Sequence, residues 1–157
     1  MNFQLMSKQR KFILIAAGIG IIAMFLPWIR ISILGFVGGS INGMHDWGIL
    51  VFLAFLVAGG ITLMGDQTKT LDKTMWMAAL IAGGVAALIM VIFFLKAMDA
   101  ISFLSFGFYL ALLASIGVLY SAYVYRPSGY NIKDGFDSLK SDIEKKTKSD
   151  TPEPPLV

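Results

Sequence analysis

The sequence predicts an all-α membrane protein: a four-helix transmembrane bundle with a small β-hairpin between its first two helices. Two features of the whole chain support this fold class, because 57% of its 157 residues are hydrophobic and its mean hydropathy is +0.74. Both values exceed those of an ordinary globular domain. The third feature is local, since four long apolar stretches contain no charged residue.

These stretches give the predicted spans, at about 12–28, 47–64, 75–95 and 101–125, within a transmembrane domain over residues 1–125. A helix rises about 1.5 Å per residue, so each run is close to the length that crosses a hydrocarbon core of about 30 Å. Helices are expected because a span in lipid must satisfy its own backbone. The first run ends in "FLPWIR", without the small-residue cleavage site of a signal peptide, and is predicted to be retained.

The lysines and arginines orient the spans. Eleven of the 13 basic residues lie before the first span, between the second and third, or after the fourth, and only Arg30 and Lys96 lie on the other side. Basic residues favour the cytoplasmic side, so we expect a multi-pass protein of a bacterial inner membrane with both termini in the cytoplasm. Trp28 and Trp47 bracket the outer loop, and Trp76 marks the inner start of the third span, at headgroup level.

The outer loop, residues 29–46, is predicted to form the hairpin. In "WIRISILG" the β-branched isoleucines alternate with other residues, which is typical of a strand. Gly35, Gly38 and Gly39 offer positions with positive φ for a turn, after which "FVGGSING" returns as a second strand. Loops on a rigid scaffold often carry recognition, so the candidate outer binding surface consists of Trp28, Arg30, Phe36, His45, Asp46 and Trp47.

Small residues recur every four positions on the predicted spans, as in Ala79, Gly83 and Ala87. Such spacing lets helices approach closely in lipid, either within one bundle or between copies of the chain. The candidate helix-packing residues are Gly20, Ala54, Gly59, Gly60, Ala79, Gly83, Ala87, Gly107, Ala111 and Ser115.

Little in the sequence supports catalysis. The chain has no cysteine and one histidine, which leaves little material for nucleophilic or metal chemistry, and we predict no catalytic residue, metal or cofactor. The predicted spans lack ionisable residues, which disfavours a proton-coupled transporter. Local structural roles are expected instead, with Asp46 capping the second span and pairing with Arg30, and Lys96 pairing with Asp99.

The tail, residues 126–157, has a different composition. Ile132, Phe136, Leu139 and Ile143 form one stripe of a helix at about 132–146, followed by a proline-rich end that should be disordered. Either the helix lies on the inner leaflet or it belongs to a solvated tail. The candidate inner-leaflet contact consists of Phe136, Leu139, Lys140, Ile143, Lys145 and Lys146.

Three short motifs carry a resemblance to known proteins: Leu-Pro-Trp at 26–28, Asp-Trp-Gly at 46–48 and Gly-Phe-Tyr at 107–109. With these motifs and its glycine-rich first loop, the chain resembles a class of uncharacterised small bacterial four-span (tetraspan) membrane proteins over about residues 12–125. In outline it is also similar to claudin-type tetraspans, although their paired loop cysteines and Gly-Leu-Trp motif are missing. The resemblance implies the fold but no activity.

The expected function is that of a non-enzymatic accessory or scaffold protein of the membrane. Its expected partners are the lipid bilayer and other membrane proteins or a second copy, with no nucleic acid and no identifiable small-molecule substrate. The alternative is a small oligomeric channel or passive transporter. In that case Gly83 and Gly107 would contact neighbouring copies around a pore lined by groups such as Thr62, Ser105 and Ser115.

Overall fold

A computed structural model of the chain describes residues 3–33 and 36–149. The helices and strands in these residues are α1 (Lys8–Phe25), β1 (Pro27–Ile33), β2 (Phe36–Asn42), α2 (Gly48–Leu63), α3 (Lys73–Lys96), α4 (Phe106–Val124) and α5 (Ile132–Ser149). Short 3-10 segments lie at Phe3–Leu5 and Met98–Phe103. The predicted disordered end, 150–157, lies outside the described residues.

The first four helices form a bundle in which α1 and α3 each pack against both α2 and α4. The predicted fold, mostly helical with a small antiparallel hairpin, is therefore confirmed at that level. Within the described residues, α3 and α4 are the helices that are long and apolar enough to cross a membrane. Helix α2 is also apolar but has only 16 residues.

Most of the buried residues of the bundle helices are small, although Ile13, Phe55 and Phe108 are also buried, and many large apolar residues lie outside. The helix interfaces contain the buried residues Ala17, Gly20, Ala54, Ala58, Ala79, Gly83, Ala111 and Ala114. Exposed large side chains include Ile15, Ile19 and Ile22 on α1, Leu53, Leu56 and Val57 on α2, Val85, Leu88 and Ile92 on α3, and Leu113, Ile116 and Tyr120 on α4. The helices therefore come close together and turn an apolar surface outward.

The helix boundaries differ from the predicted spans for local reasons. Helix α1 begins at Lys8 because the side chain of Ser7 accepts a hydrogen bond from the Arg10 N–H, and it ends at Phe25, just before Pro27 opens β1. At the start of α3, the carboxylate of Asp72 accepts from the Met75 N–H at 2.8 Å. Helix α4 begins five residues later than predicted, because residues 98–103 form a 3-10 outer turn.

The hairpin pairs β1 with β2 in antiparallel register, with Arg30 opposite Ser40 and Ile31 opposite Gly39. The next pair is Ser32 with Val37, so Gly38 is an extra residue of the kind found in a β-bulge. Gly38 and Gly39 thus lie within β2 and not in the predicted turn, while Gly35 lies outside the described residues. Among described glycines, positive φ occurs at Gly65 and Gly129, in the connections that follow α2 and α4.

Candidate binding surfaces

Trp28 anchors the hairpin to the bundle. Its side chain is 5% exposed, and its indole Nε1 donates to the carbonyl oxygen of Ala23 at 3.0 Å. The indole ring meets the ring of Phe108 edge-on, with centroids 5.5 Å apart. The backbone carbonyl oxygen of Trp28 accepts from the Ser105 N–H at 2.7 Å. The prediction that Trp28 belongs to an exposed outer surface is therefore wrong, because its N–H has a partner inside the bundle.

Two glycines make this close approach possible. A Cβ at Gly43 would lie 2.5 Å from Cε2 of Trp28, and one at Gly107 would lie 2.7 Å from the carbonyl oxygen of Pro27. Both distances are too short for a real side chain. The return of the chain from β2 and the start of α4 are thus fitted against the same hairpin base.

Four of the six predicted outer-surface residues are exposed at this end of the molecule: Arg30, His45, Asp46 and Trp47. The side chain of Trp47 is 65% exposed. The Nδ1 atom of His45 lies 3.0 Å from Oδ1 of Asn42, which holds the ring against the end of β2. Phe36 begins β2, and its side chain lies outside what the structure describes.

Asp46 does not have the predicted capping role. The N-cap of α2 is Trp47, without a side-chain cap bond, and Asp46 adopts a left-handed φ of 48° in the preceding turn. Its backbone carbonyl accepts from the Ile49 N–H at 3.3 Å instead. Neither of the predicted ion pairs, Arg30 with Asp46 and Lys96 with Asp99, forms in the described part of the chain.

Several shallow clefts lie at the end of the bundle that carries the hairpin, and two of them adjoin α3 or β1. One, of about 280 Å³, separates α2 from α3 and is lined by Trp47, Ile89, Ile92, Phe93 and Lys96. The other, of about 290 Å³, lies between β1 and the 3-10 outer turn, and Ile29 and Ile31 form its hairpin side. Ile29 and Ile31 therefore share a face of β1 that is directed at this turn.

Nine of the ten predicted helix-packing residues are buried, and Gly60 is exposed with no atom within 4 Å of where its Cβ would lie. A Cβ at Gly83 would lie 2.9 Å from Cγ1 of Val118 and 3.0 Å from the backbone nitrogen of Leu119. Gly83 and Gly107 thus serve contacts within one chain, and they are not available for the contacts between copies that the channel alternative assigned to them.

The hydroxyl groups assigned to a pore are used locally. Thr62 Oγ1 donates to the carbonyl oxygen of Gly59 at 2.6 Å, and Ser115 Oγ donates to that of Leu112 at 2.7 Å. Both residues are buried. Ser105 is half-buried and donates its backbone N–H to Trp28. These groups are therefore engaged in contacts within the chain.

Buried polar side chains meet at the end of the bundle opposite the hairpin, which the predicted topology makes the inner end. Arg10 is 3% exposed, and its Nη1 donates to the carbonyl oxygens of Thr62 at 3.0 Å and Met64 at 2.6 Å, while Nε donates to that of Lys69 at 2.8 Å. The start of α1 thereby holds the end of α2 and the connection to α3. Arg10 lies three, seven and ten residues before Ile13, Ala17 and Gly20, so it lies on the same face of α1 as these buried residues.

Gln9 and Trp76 form further hydrogen bonds between the helices at the same end of the bundle. Gln9 Oε1 accepts from the Leu71 N–H at 3.0 Å, and its Nε2 and the Nε1 of Trp76 both donate to the carbonyl oxygen of Ala122, at 3.4 and 2.7 Å. Trp76 is fully buried. Its ring fills the junction of α3, α4 and α5, at the start of α3. The predicted depth at the headgroup level stays a prediction.

Helix α5 docks on the inner end of α3. A Cβ at Gly135 would lie 2.9 Å from Cζ3 of Trp76, the hydroxyl of Thr74 donates to Oδ2 of Asp142 at 2.7 Å, and Leu139 packs against the core. Of the predicted inner-leaflet contacts, Phe136, Lys140, Ile143, Lys145 and Lys146 are exposed, and Leu139 is partly buried. The tail helix is thus part of the folded body and still presents an apolar stripe.

Comparison of the chain with protein-family models, with curated proteins and with solved structures finds no match. The described residues include no group of three or more His, Cys, Asp or Glu placed to hold a metal ion. The candidate site must therefore be judged from its own geometry, and two surfaces stand out. They are the outer surface (Arg30, His45, Asp46 and Trp47) and the inner cleft between α2, α3 and α5.

Proposed function

We propose that α1 to α4 all cross a bacterial inner membrane and that the chain is a non-enzymatic accessory or scaffold protein with both termini in the cytoplasm. The observation that carries this proposal is the distribution of side-chain size in the bundle. Alanine and glycine are the commonest residues between the helices, beside a few large ones such as Phe55 and Phe108, and exposed Ile, Leu, Val and Phe cover the outside. Helices in lipid associate through such small residues, and a large apolar exterior suits contact with acyl chains.

The degree of burial also favours lipid over a soluble core. Only 33% of the apolar stretch in α3 and 44% of that in α4 is buried inside the protein. The core helix of a soluble protein is mostly buried, because its apolar side chains have no other place to avoid water. The remaining exposed surface of α3 and α4 is therefore assigned to lipid.

A non-enzymatic role is supported by what the buried polar side chains do. Gln9, Arg10, Thr62 and Ser115 each bond to main-chain groups of the bundle. A catalytic pocket instead directs a few polar groups at a shared space. These residues are used to join helices, which suits a protein that acts through its surfaces.

The outer surface is the proposed contact for another membrane protein or a second copy. Trp28 fixes the hairpin to α1 and α4. The exposed side chains of Arg30, His45 and Trp47 therefore project from a part of the chain that is attached to the bundle. Exposed aromatic and arginine side chains are the types most often found at the centre of binding interfaces.

Cysteine labelling tests the topology. Because the chain has no cysteine of its own, only the introduced cysteine can react. Ser40→Cys lies in β2 and Ser141→Cys in α5, and both positions are exposed. A membrane-impermeant maleimide added to intact spheroplasts should label the first and spare the second until the cells are lysed. Labelling of both before lysis, or release of the protein from membranes by carbonate, would contradict the proposal.

The scaffold role is tested by photo-crosslinking in cells. A photoreactive residue at His45 or Trp47 should give a discrete adduct with a membrane protein or a second copy, and one at Leu53, on the apolar exterior, is the control. A protein that gives no adduct from either outer position, and always migrates alone after mild solubilisation, does not act as a scaffold.

A further inference from the structure

We propose that the inner cleft binds a single phospholipid whose headgroup carries both a phosphate and a primary ammonium group. The cleft, of about 400 Å³, lies between the last turn of α2, the first turns of α3 and the second half of α5. The inference rests on the proposed membrane topology, because the lipid must reach the cleft from the inner leaflet.

The lining of the cleft is divided like a phospholipid. Ile61, Met75 and Ala78 form apolar wall on helices that the proposal places in the membrane. Lys145 and Lys146 on α5, together with Asp72 at the start of α3, provide charge. An acyl chain of the lipid could lie along the apolar wall while the headgroup of the same lipid stays among the charged side chains. This places the headgroup at the membrane interface, where amphiphilic groups are most favourable.

The two lysines supply the phosphate contact. Lys145 and Lys146 are both exposed and adjacent on the last turns of α5, at the cleft. An ammonium group binds a phosphate as a compact point charge with three donors, so two of them can share one phosphate from different directions.

The two carboxylates favour a headgroup that also carries a positive charge. Asp72 uses Oδ1 to accept from the Met75 N–H, and Asp142 uses Oδ2 to accept from the Thr74 hydroxyl, at 2.8 and 2.7 Å. Each carboxylate has a second oxygen, and both residues line the cleft. Two lysines and two carboxylates leave the lining without net charge. The carboxylates would repel a purely anionic headgroup, but they would attract a headgroup that also carries an ammonium group.

A primary ammonium is specified by hydrogen bonding. It offers three N–H donors to carboxylate oxygens, whereas a quaternary trimethylammonium has the same charge and no donor. The cleft should therefore distinguish dioleoylphosphatidylethanolamine from dioleoylphosphatidylcholine, which have equal net charge, as well as from anionic dioleoylphosphatidylglycerol.

Native mass spectrometry of the delipidated full chain in detergent tests this, with each of the three lipids added at the same concentration. The phosphatidylethanolamine adduct should be the most populated. Lys145→Gln with Lys146→Gln should lower it by about fivefold, because two exposed charge contacts of ordinary strength change an equilibrium constant by about that factor. Asp142→Asn, which keeps an acceptor for Thr74, should remove the preference over phosphatidylcholine.

Lys133→Gln and Asp137→Asn are the matched controls, since both residues are exposed on α5 and neither lines the cleft. They should leave the phosphatidylethanolamine adduct unchanged. Equal adducts for the three lipids, a preference for phosphatidylglycerol, or the same loss in the controls would overturn the lipid site while leaving the membrane topology intact. A protein that carbonate releases from membranes would instead remove the topology on which the site depends.

Discussion

Arg10 and Thr62 are joined by a 3.0 Å hydrogen bond from Nη1 of the guanidinium to the carbonyl oxygen, which fastens the end of α2 to the start of α1. The same nitrogen also donates to the carbonyl of Met64, so one cation satisfies groups at the negative end of the α2 dipole. Arginine stays charged at neutral pH, so the contact is permanent.

Arg10→Ala should therefore strongly destabilise the bundle. It would leave the carbonyls of Thr62, Met64 and Lys69 without this donor. Each buried acceptor that loses its partner lowers the unfolding free energy by about 1–3 kcal/mol. Lys8→Ala removes the same charge from an exposed position two residues away and should change stability little. Thermal unfolding in one detergent measures both, and equal effects of the two substitutions would show that Arg10 acts only through charge.

The comparison between Arg10 and Lys8 shows how far the sequence could predict this fold. Composition and charge predicted the four helices of the bundle, because four uncharged apolar runs are too long and too uniformly apolar for strands. They could not show that one of three basic residues before the first run is buried, since each looks like a topology signal. That distinction depends on which carbonyls the loop after α2 brings within reach, and this is tertiary information.

The tryptophans show the same limit at the candidate site. Trp28, Trp47 and Trp76 all lie at the ends of apolar runs, where an aromatic residue usually indicates the membrane interface. Only Trp47 is exposed. The other two are buried because backbone carbonyls of Ala23 and Ala122 accept their indole N–H groups, and no local pattern predicts such a long-range acceptor as Ala122 for Trp76.

Gly43→Ala should destabilise the hairpin base. The new methyl group would lie 2.5 Å from the indole of Trp28, and overpacking of this kind costs about 1–3 kcal/mol. Gly39→Ala is the matched control, because nothing lies within 4 Å of its Cβ position in β2. Thermal unfolding should separate the two variants, and limited proteolysis should cut the hairpin faster only in Gly43→Ala. Similar behaviour of both would mean that Trp28 moves aside easily.

Gly83→Ala should lower the unfolding temperature, whereas Gly60→Ala should not. At Gly83 the methyl group would meet Val118 and the backbone of Leu119, so α3 and α4 must separate. At exposed Gly60 it would meet nothing, and alanine favours a helix over glycine by about 1 kcal/mol. We expect a lower unfolding temperature for the first and an unchanged or higher one for the second. If Gly60→Ala were the more damaging, the exposed face of α2 would instead be an interface between copies.

The turn after α2 should give a small pH dependence through Asp66. Its carboxylate accepts from the hydroxyl and the backbone N–H of Thr68, at 2.7 and 3.1 Å, and these bonds, helped by Lys69, hold its pKa below the ordinary value. Because the folded pKa is the lower one, the stabilisation is complete above the unfolded pKa of about 4 and is lost as the pH falls through the folded pKa.

Thr68→Val should raise the pKa of Asp66, since the hydroxyl bond is the largest cause of the shift. Thr70→Val, two residues further along the same exposed turn, is the control and should leave it unchanged. Carboxyl carbon chemical shifts followed from pH 6 downward in micelles measure both. An unchanged Asp66 pKa in Thr68→Val would mean that the backbone N–H alone sets it.

Gly135→Leu should release α5 from the bundle. The glycine lies against Trp76 and Met77, where an added Cβ would be 2.9 and 3.1 Å from the nearest side-chain atoms, so a leucine cannot fit unless the helix moves away. Ser141→Leu, on an exposed position of the same helix, is the control. Leucine favours a helix over both residues that it replaces, so propensity alone predicts slower amide exchange in each variant.

Hydrogen exchange of residues 132–149 therefore distinguishes docking from propensity. We expect faster exchange in Gly135→Leu, because a detached single helix of this length is only marginally stable in water, and equal or slower exchange in Ser141→Leu. The released helix should also lose the hydrogen bond from Thr74 to Asp142, and with it the α5 side of the inner cleft. Slower exchange in both variants would mean that contact with α3 does not maintain the helix.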